Sequence, residues 1–91
     1  MKLNKEAQEF YKKLQEGYGI HDPAGLTILQ QAAEALMRLR QAQAVIKKEG
    51  LTVKDRFDQL KNHPATVIEK DSRNALLKAL DHLDLELPDL D

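Results

Sequence analysis

The stretch DPAGLTILQQAAEALMRLRQAQAVIKKEG, residues 22–50, decides the fold. Asp22 can cap a first helical turn with its carboxylate, and Pro23 brings the pre-set φ favoured at the first helical position. Gly50 stands where a left-handed residue would end the helix. Asp22 to Glu49 therefore reads as one unbroken helix, about 42 Å long at a rise of about 1.5 Å per residue. That is well above the average globular helix, and every other segment must pack on it.

This helix carries two apolar stripes. Leu26, Leu29, Ala33 and Leu36 form the first, which Arg40 and Gln43 interrupt; Ile28, Ala32, Ala35, Leu39, Ala42 and Ile46 form the second, which persists to the helix end. Together they are wider than the stripe needed to meet one partner, and the alanines of the second let another backbone approach closely. Two arrangements stay open. Either part of this surface joins copies of the chain, with the six residues of the second stripe as the seam, or the remaining helices cover it all.

Working outward, Asn4 is a cap for a first helix over residues 4–17, whose apolar positions Leu3, Ala7, Phe10 and Leu14 follow one helical stripe. Gly17 and Gly19 stop it. The turn from Gly17 to His21 leads into the long helix, with Tyr18 and Ile20 expected to plug the corner. From Gly50 to Asn62 helical periodicity disappears. Leu51-Thr52-Val53 has β propensity, Lys54-Asp55 is a turn candidate and Phe57 can pair back, so residues 50–62 read as a short hairpin or an ordered loop. Asn62 or His63 then caps a third helix, residues 63–82, with Pro64 in its first turn and Val67, Ile68, Ala75, Leu76, Ala79 and Leu80 as its apolar positions. The tail, residues 83–91, alternates leucine with acid before Pro88; it reads either as a frayed end or as a docking peptide for another subunit.

Composition bounds the class. One chain of 91 residues is a single small domain, and 42% apolar with 32% charged residues, three prolines and four glycines is a helix-rich globular balance. Phe10, Tyr11, Tyr18 and Phe57 are the whole aromatic content, so the core has few large anchors and gains from burying a further face against neighbours. No cysteine is present, which removes disulfides, thiolate metal sites and cysteine nucleophiles together. No apolar run approaches the roughly 20 residues that span a bilayer, and the first residues lead into a charged amphipathic segment; the expected location is a cytoplasm.

Charge is uneven although the net is −1. Residues 1–37 carry four basic and five acidic groups, residues 38–61 seven and three, and residues 62–91 three and seven. Arg38, Arg40, Lys47, Lys48, Lys54, Arg56 and Lys61 fall within the middle block, and Lys70 and Arg73 follow. Clustered Lys and Arg neutralise phosphates without base contacts, although charged residues also simply solvate long helices. Catalytic patterns are missing: there is no phosphate-binding glycine loop and no nucleophile elbow. His21, His63 and His82 lack ligand spacing and read as turn, cap and helix-end residues, so no metal and no cofactor is expected. Glu69 and Asp71 are two residues apart and point to different sides of a helix, as dipole partners rather than an acid and a base.

The segments Tyr18-Gly19-Ile20-His21-Asp22-Pro23-Ala24-Gly25-Leu26, Ile46-Lys47-Lys48-Glu49-Gly50-Leu51-Thr52-Val53, His63-Pro64-Ala65 and Glu69-Lys70-Asp71-Ser72-Arg73, in that order and spacing, resemble the small subunit of a tailed-phage terminase, of the compact group found in prophages. The resemblance covers residues from about 10 to 88. It implies an all-α DNA-packaging protein that forms a ring-like homo-oligomer, binds double-stranded phage DNA and recruits or regulates the large terminase subunit, which supplies the ATPase and nuclease. Gly19, Asp22, Pro23, Gly50, Arg56, His63-Pro64, Asp71 and Arg73 match the family's features. Similar proteins carry glycine and proline where this chain has Asp58 and Leu60, and proline where it has Asn62, which implies a less rigid connection here.

The expectation is thus a non-enzymatic protein of three helices, working in the cytoplasm of a bacterial host with DNA, the large subunit and further copies of itself as partners and no membrane. Lys47, Lys48, Lys54, Arg56, Lys61 and Arg73 are the expected phosphate contacts. Ile28, Ala32, Ala35, Leu39, Ala42 and Ile46 are the expected contacts between copies. The competing reading is a helical structural adaptor that oligomerises or holds a protein partner without touching nucleic acid.

Overall fold

A computed structural model describes residues 2–83. Three helices, α1 (Lys5–Tyr18), α2 (Pro23–Glu49) and α3 (Pro64–His82), are joined by a tight corner and by a hairpin of β1 (Thr52–Lys54) and β2 (Leu60–Asn62). The molecule is elongated, 52 × 26 × 23 Å, because α2 sets its long axis. The acidic tail beyond Leu83 lies outside the described residues.

Each helix begins on a side chain that satisfies an orphan backbone donor. Asn4 Oδ1 accepts from Ala7 N at 2.9 Å, Asp22 Oδ2 from Gly25 N at 2.8 Å, and His63 Nδ1 from Ala65 N at 3.0 Å. Of the two caps weighed for α3, His63 is the one used. Gly25 is required for more than flexibility: a Cβ there would sit 2.7 Å from Asp22 Oδ1 and 2.9 Å from Ile20 Cγ2. The Asp22 cap closes over a backbone that only glycine leaves bare.

The helix ends depart from expectation in two details. Gly17 does not stop α1; the helix runs on to Tyr18, and Gly19 at φ 62°, ψ 41° turns the chain in the left-handed region while Ile20 N donates to Gln15 O. Ile20 is buried in the corner, but Tyr18 is 50% exposed and does not plug it. Gly50 does end α2 at positive φ, but with φ 89° and ψ 170° it lies in the extended region open essentially to glycine alone rather than in the left-handed helical one. That geometry throws the chain straight into β1.

The two stripes of α2 do not divide cleanly between partners: Leu29 and Leu36 of the first join the second in one core. Ala33 and Met37 pack with Ala7 of α1, with Phe10 and Tyr11 alongside, while Ala32, Ala35, Leu36 and Leu39 form the main core with Leu76, Ala79 and Leu80 of α3, closed at the corner by Leu14 and Ile20. Leu29 and Leu80 are the largest fully buried side chains. Four of the six residues expected between copies, Ala32, Ala35, Leu39 and Ala42, are therefore already buried within one chain, largely under α3, because the antiparallel α2/α3 pair uses the small residues for its own close approach. Ile28 and Ile46 remain partly exposed. On α3, Val67 and Ile68 are exposed, Ile68 at the edge of the α2/α3 groove, so its buried leucines start only at Leu76.

Candidate nucleic-acid interface

The hairpin stands on the ends of α2 and α3 with its own registry: Thr52 opposite Asn62, Val53 opposite Lys61, Lys54 opposite Leu60. A strand shows successive side chains to opposite faces, so Lys54 and Lys61 lie on different faces of the ribbon. At the tip, Asp55 and Gln59 exchange a hydrogen bond, Asp58 N donates to Asp55 O at 3.0 Å, and Asp58 takes φ 61°. This is a three-residue loop, a turn followed by one left-handed residue. Phe57, expected to pair across the strands, instead occupies the loop and is 68% exposed, and Leu60 takes the pairing position. Arg56 lies over it, its guanidinium carbon 4.9 Å from the ring centroid. A glycine would suit this left-handed site; Asp58 fills it and ion-pairs with Lys54 at 3.3 Å.

Five of the expected cations share this end of the molecule. Lys47 and Lys48 form the last turn of α2, where they also complement the helix dipole, and Lys54, Arg56 and Lys61 decorate the hairpin. All five are exposed. The three carboxylates among them have structural partners: Asp55 Oδ1 accepts from Phe57 N and Gln59 N, Asp58 pairs with Lys54, and Glu49 accepts from His63. Because His63 Nδ1 is occupied as an acceptor, its proton sits on Nε2, which donates to Glu49 Oε1 at 3.3 Å. One histidine thus caps α3 and ties it to the end of α2, a role the sequence signals only as a cap.

Arg73 is not part of this end. It lies over two turns further along α3, bonded to Glu69 at 2.8 Å, and lines a groove between α1 and α3. Arg40 bridges α2 to Glu6 of α1 at 3.3 Å, and Arg38 borders the opposite α2/α3 groove beside Ile68 and Asp71. The grooves along that side are also lined by Ile28, Ala35 and Ala42, so three residues of the second stripe border open surface even where they are largely covered. Among the described residues, no group of three or more His, Asp or Glu is placed to hold a metal ion, and no helix is long and apolar enough to cross a membrane.

A family model for the small subunit of phage terminases matches residues 7–87. The chain belongs to that family. No curated protein and no solved structure matches it. The terminase match spans the corner, both long helices and the hairpin, so the segments that resemble the family in sequence, from Tyr18-Gly19-Ile20 through Glu69-Lys70-Asp71, all fall inside it. A phage terminase small subunit is the general role of the chain.

Proposed function

We propose that this terminase small subunit binds double-stranded phage DNA with the end of the molecule formed by the last turn of α2 and the hairpin, and that it works as a homo-oligomer that recruits or regulates the large subunit in the cytoplasm of the bacterial host. The observation that carries the reading is the company of Lys47, Lys48, Lys54, Arg56 and Lys61 at one exposed end, with the intervening carboxylates engaged in local structure. Cations displayed on both faces of a ribbon suit a phosphate lattice rather than a single anion. Arg73 is a weaker candidate because its guanidinium is committed to Glu69 and sits beyond this end. Contacts between copies fall to Ile28, Ile46 and the open edges of Ala35 and Ala42, with Ala32 and Leu39 supporting them from beneath.

The test is retention on duplex DNA as salt is raised. If all five cations contact phosphates, log K falls with log salt at a slope of about −4 to −5. Replacing the five by glutamate abolishes retention while leaving the helical circular dichroism spectrum intact. Retention by that variant equal to the parent overturns the DNA reading.

One observation favours the adaptor reading. Leu51, Phe57 and Leu60 expose large apolar surface on the hairpin, which a protein partner would use better than a phosphate backbone would. Light scattering separates the two: oligomers or a stable protein complex with no salt-dependent DNA shift would assign the hairpin to protein contact alone.

A further inference from the structure

The chain uses its few aromatic side chains in different ways. Phe10 and Tyr11 pack against the core, and Tyr18 stands half-exposed at the corner, whereas Phe57 occupies the loop at the tip of the hairpin with most of its ring in solvent. The backbone beneath that ring is fixed. Asp55 Oδ1 accepts from Phe57 N at 2.8 Å and from Gln59 N at 3.0 Å, Asp55 N donates to Gln59 O at 2.9 Å, and Asp58 turns the chain at φ 61°. A ring displayed on so ordered a loop loses little further freedom when it binds.

The company of the ring says what it meets. Lys47, Lys48, Arg56 and Lys61 share this end and, among the described residues, none of them has a carboxylate partner; Lys54 alone is held, by Asp58. An apolar protein groove closing over Phe57 would have to desolvate these charges without pairing them. Duplex DNA offers a place for both, phosphates for the cations and the base stack for the ring. Resting on the duplex reading given above, we propose that Phe57 enters between adjacent base pairs of the bound DNA as a wedge and kinks it. Contact with the ring offsets part of the lost base stacking, and flexible steps such as TA yield most readily. The Arg56 guanidinium, which rests on the ring with its carbon 4.9 Å from the centroid, passes to a phosphate as the ring goes in. The cations hold the duplex, and the ring sets its shape.

Ligase-driven closure of a duplex of about 100 bp into a circle reads the kink, because a fragment shorter than the persistence length of about 150 bp closes readily only when bent. The full-length chain should raise the closure rate about tenfold or more. Phe57→Ala should abolish that gain and weaken binding about tenfold, the size of one lost aromatic stack, while the slope of log K against log salt stays unchanged. Phe57→Leu, which keeps an apolar wedge, should restore most of both, and helical circular dichroism should be the same in all three proteins. Closure by Phe57→Ala equal to the parent would overturn the wedge and leave the duplex reading standing, and so would DNA binding by the parent without any gain in closure. A loss in Phe57→Ala that Phe57→Leu fails to restore would overturn the wedge as well. No DNA binding by the parent would overturn the duplex reading and the wedge with it.

Discussion

The middle of α2 and the hairpin treat the same kind of residue in opposite ways. Around Ala32, Leu36 and Leu39 the chain packs α3 against the small side chains and seals leucine and alanine almost completely. Twelve to twenty-eight residues away, Leu51, Phe57 and Leu60 stand in solvent on a ribbon of three-residue strands with no helix laid over it. An isolated two-stranded hairpin is marginal in water, so this one owes its shape to what anchors its base: the fixed geometry of Gly50 and the His63–Glu49 bond. The difference separates a region that makes the fold from a region that the fold presents.

That contrast is sharpest in matched leucine truncations. Leu80→Ala should cost about 3 to 5 kcal/mol in urea unfolding, through lost burial and a cavity beneath α2. Leu60→Ala should change the same midpoint by less than about 0.5 kcal/mol. Equal costs would mean that the hairpin is part of the core. Next in size, Gly50→Val should cost about 1 to 3 kcal/mol, since a β-branched residue cannot hold φ 89° with ψ 170°; loss should centre on the hairpin and α2 end in hydrogen exchange. Asp22→Ala should cost about 1 kcal/mol and Asp22→Asn much less, because asparagine keeps the oxygen that Gly25 N bonds; thermal unfolding reads both. Smallest of all, Asp58→Gly should relieve a left-handed residue and lose an exposed ion pair with Lys54, a net gain of about 0.5 kcal/mol or less, visible as slower exchange of the Gln59 amide.

Much of the body was legible. Asn4, Asp22-Pro23 and His63-Pro64 each mark a helix start by local chemistry, which acts over three residues and needs no knowledge of the rest of the chain. The extent of α2 followed from the same signals. What sequence could not divide was the wide apolar surface of α2, because a stripe records that a partner exists and not whether it is α3 or another copy. Phe57 was expected in the pairing for a related reason. Its β propensity is satisfied in a strand or a loop, and only the left-handed turn at Asp58 leaves it in the loop. The basic end was visible as a cluster in sequence, but Arg73 was grouped with it by proximity along the chain, whereas the rise of α3 carries it away. The Glu49–His63 bond spans fourteen residues and leaves no local signature at all.

That bond has a consequence for how such a chain can diversify. By holding the end of α2 to the start of α3 at the foot of the ribbon, it makes residues 51–62 an interchangeable cassette: strands can be lengthened, tips exchanged or charges reversed there while the helices keep their spacing. A lineage under pressure to engage new targets has, in those twelve positions, a place to vary that the core never has to follow.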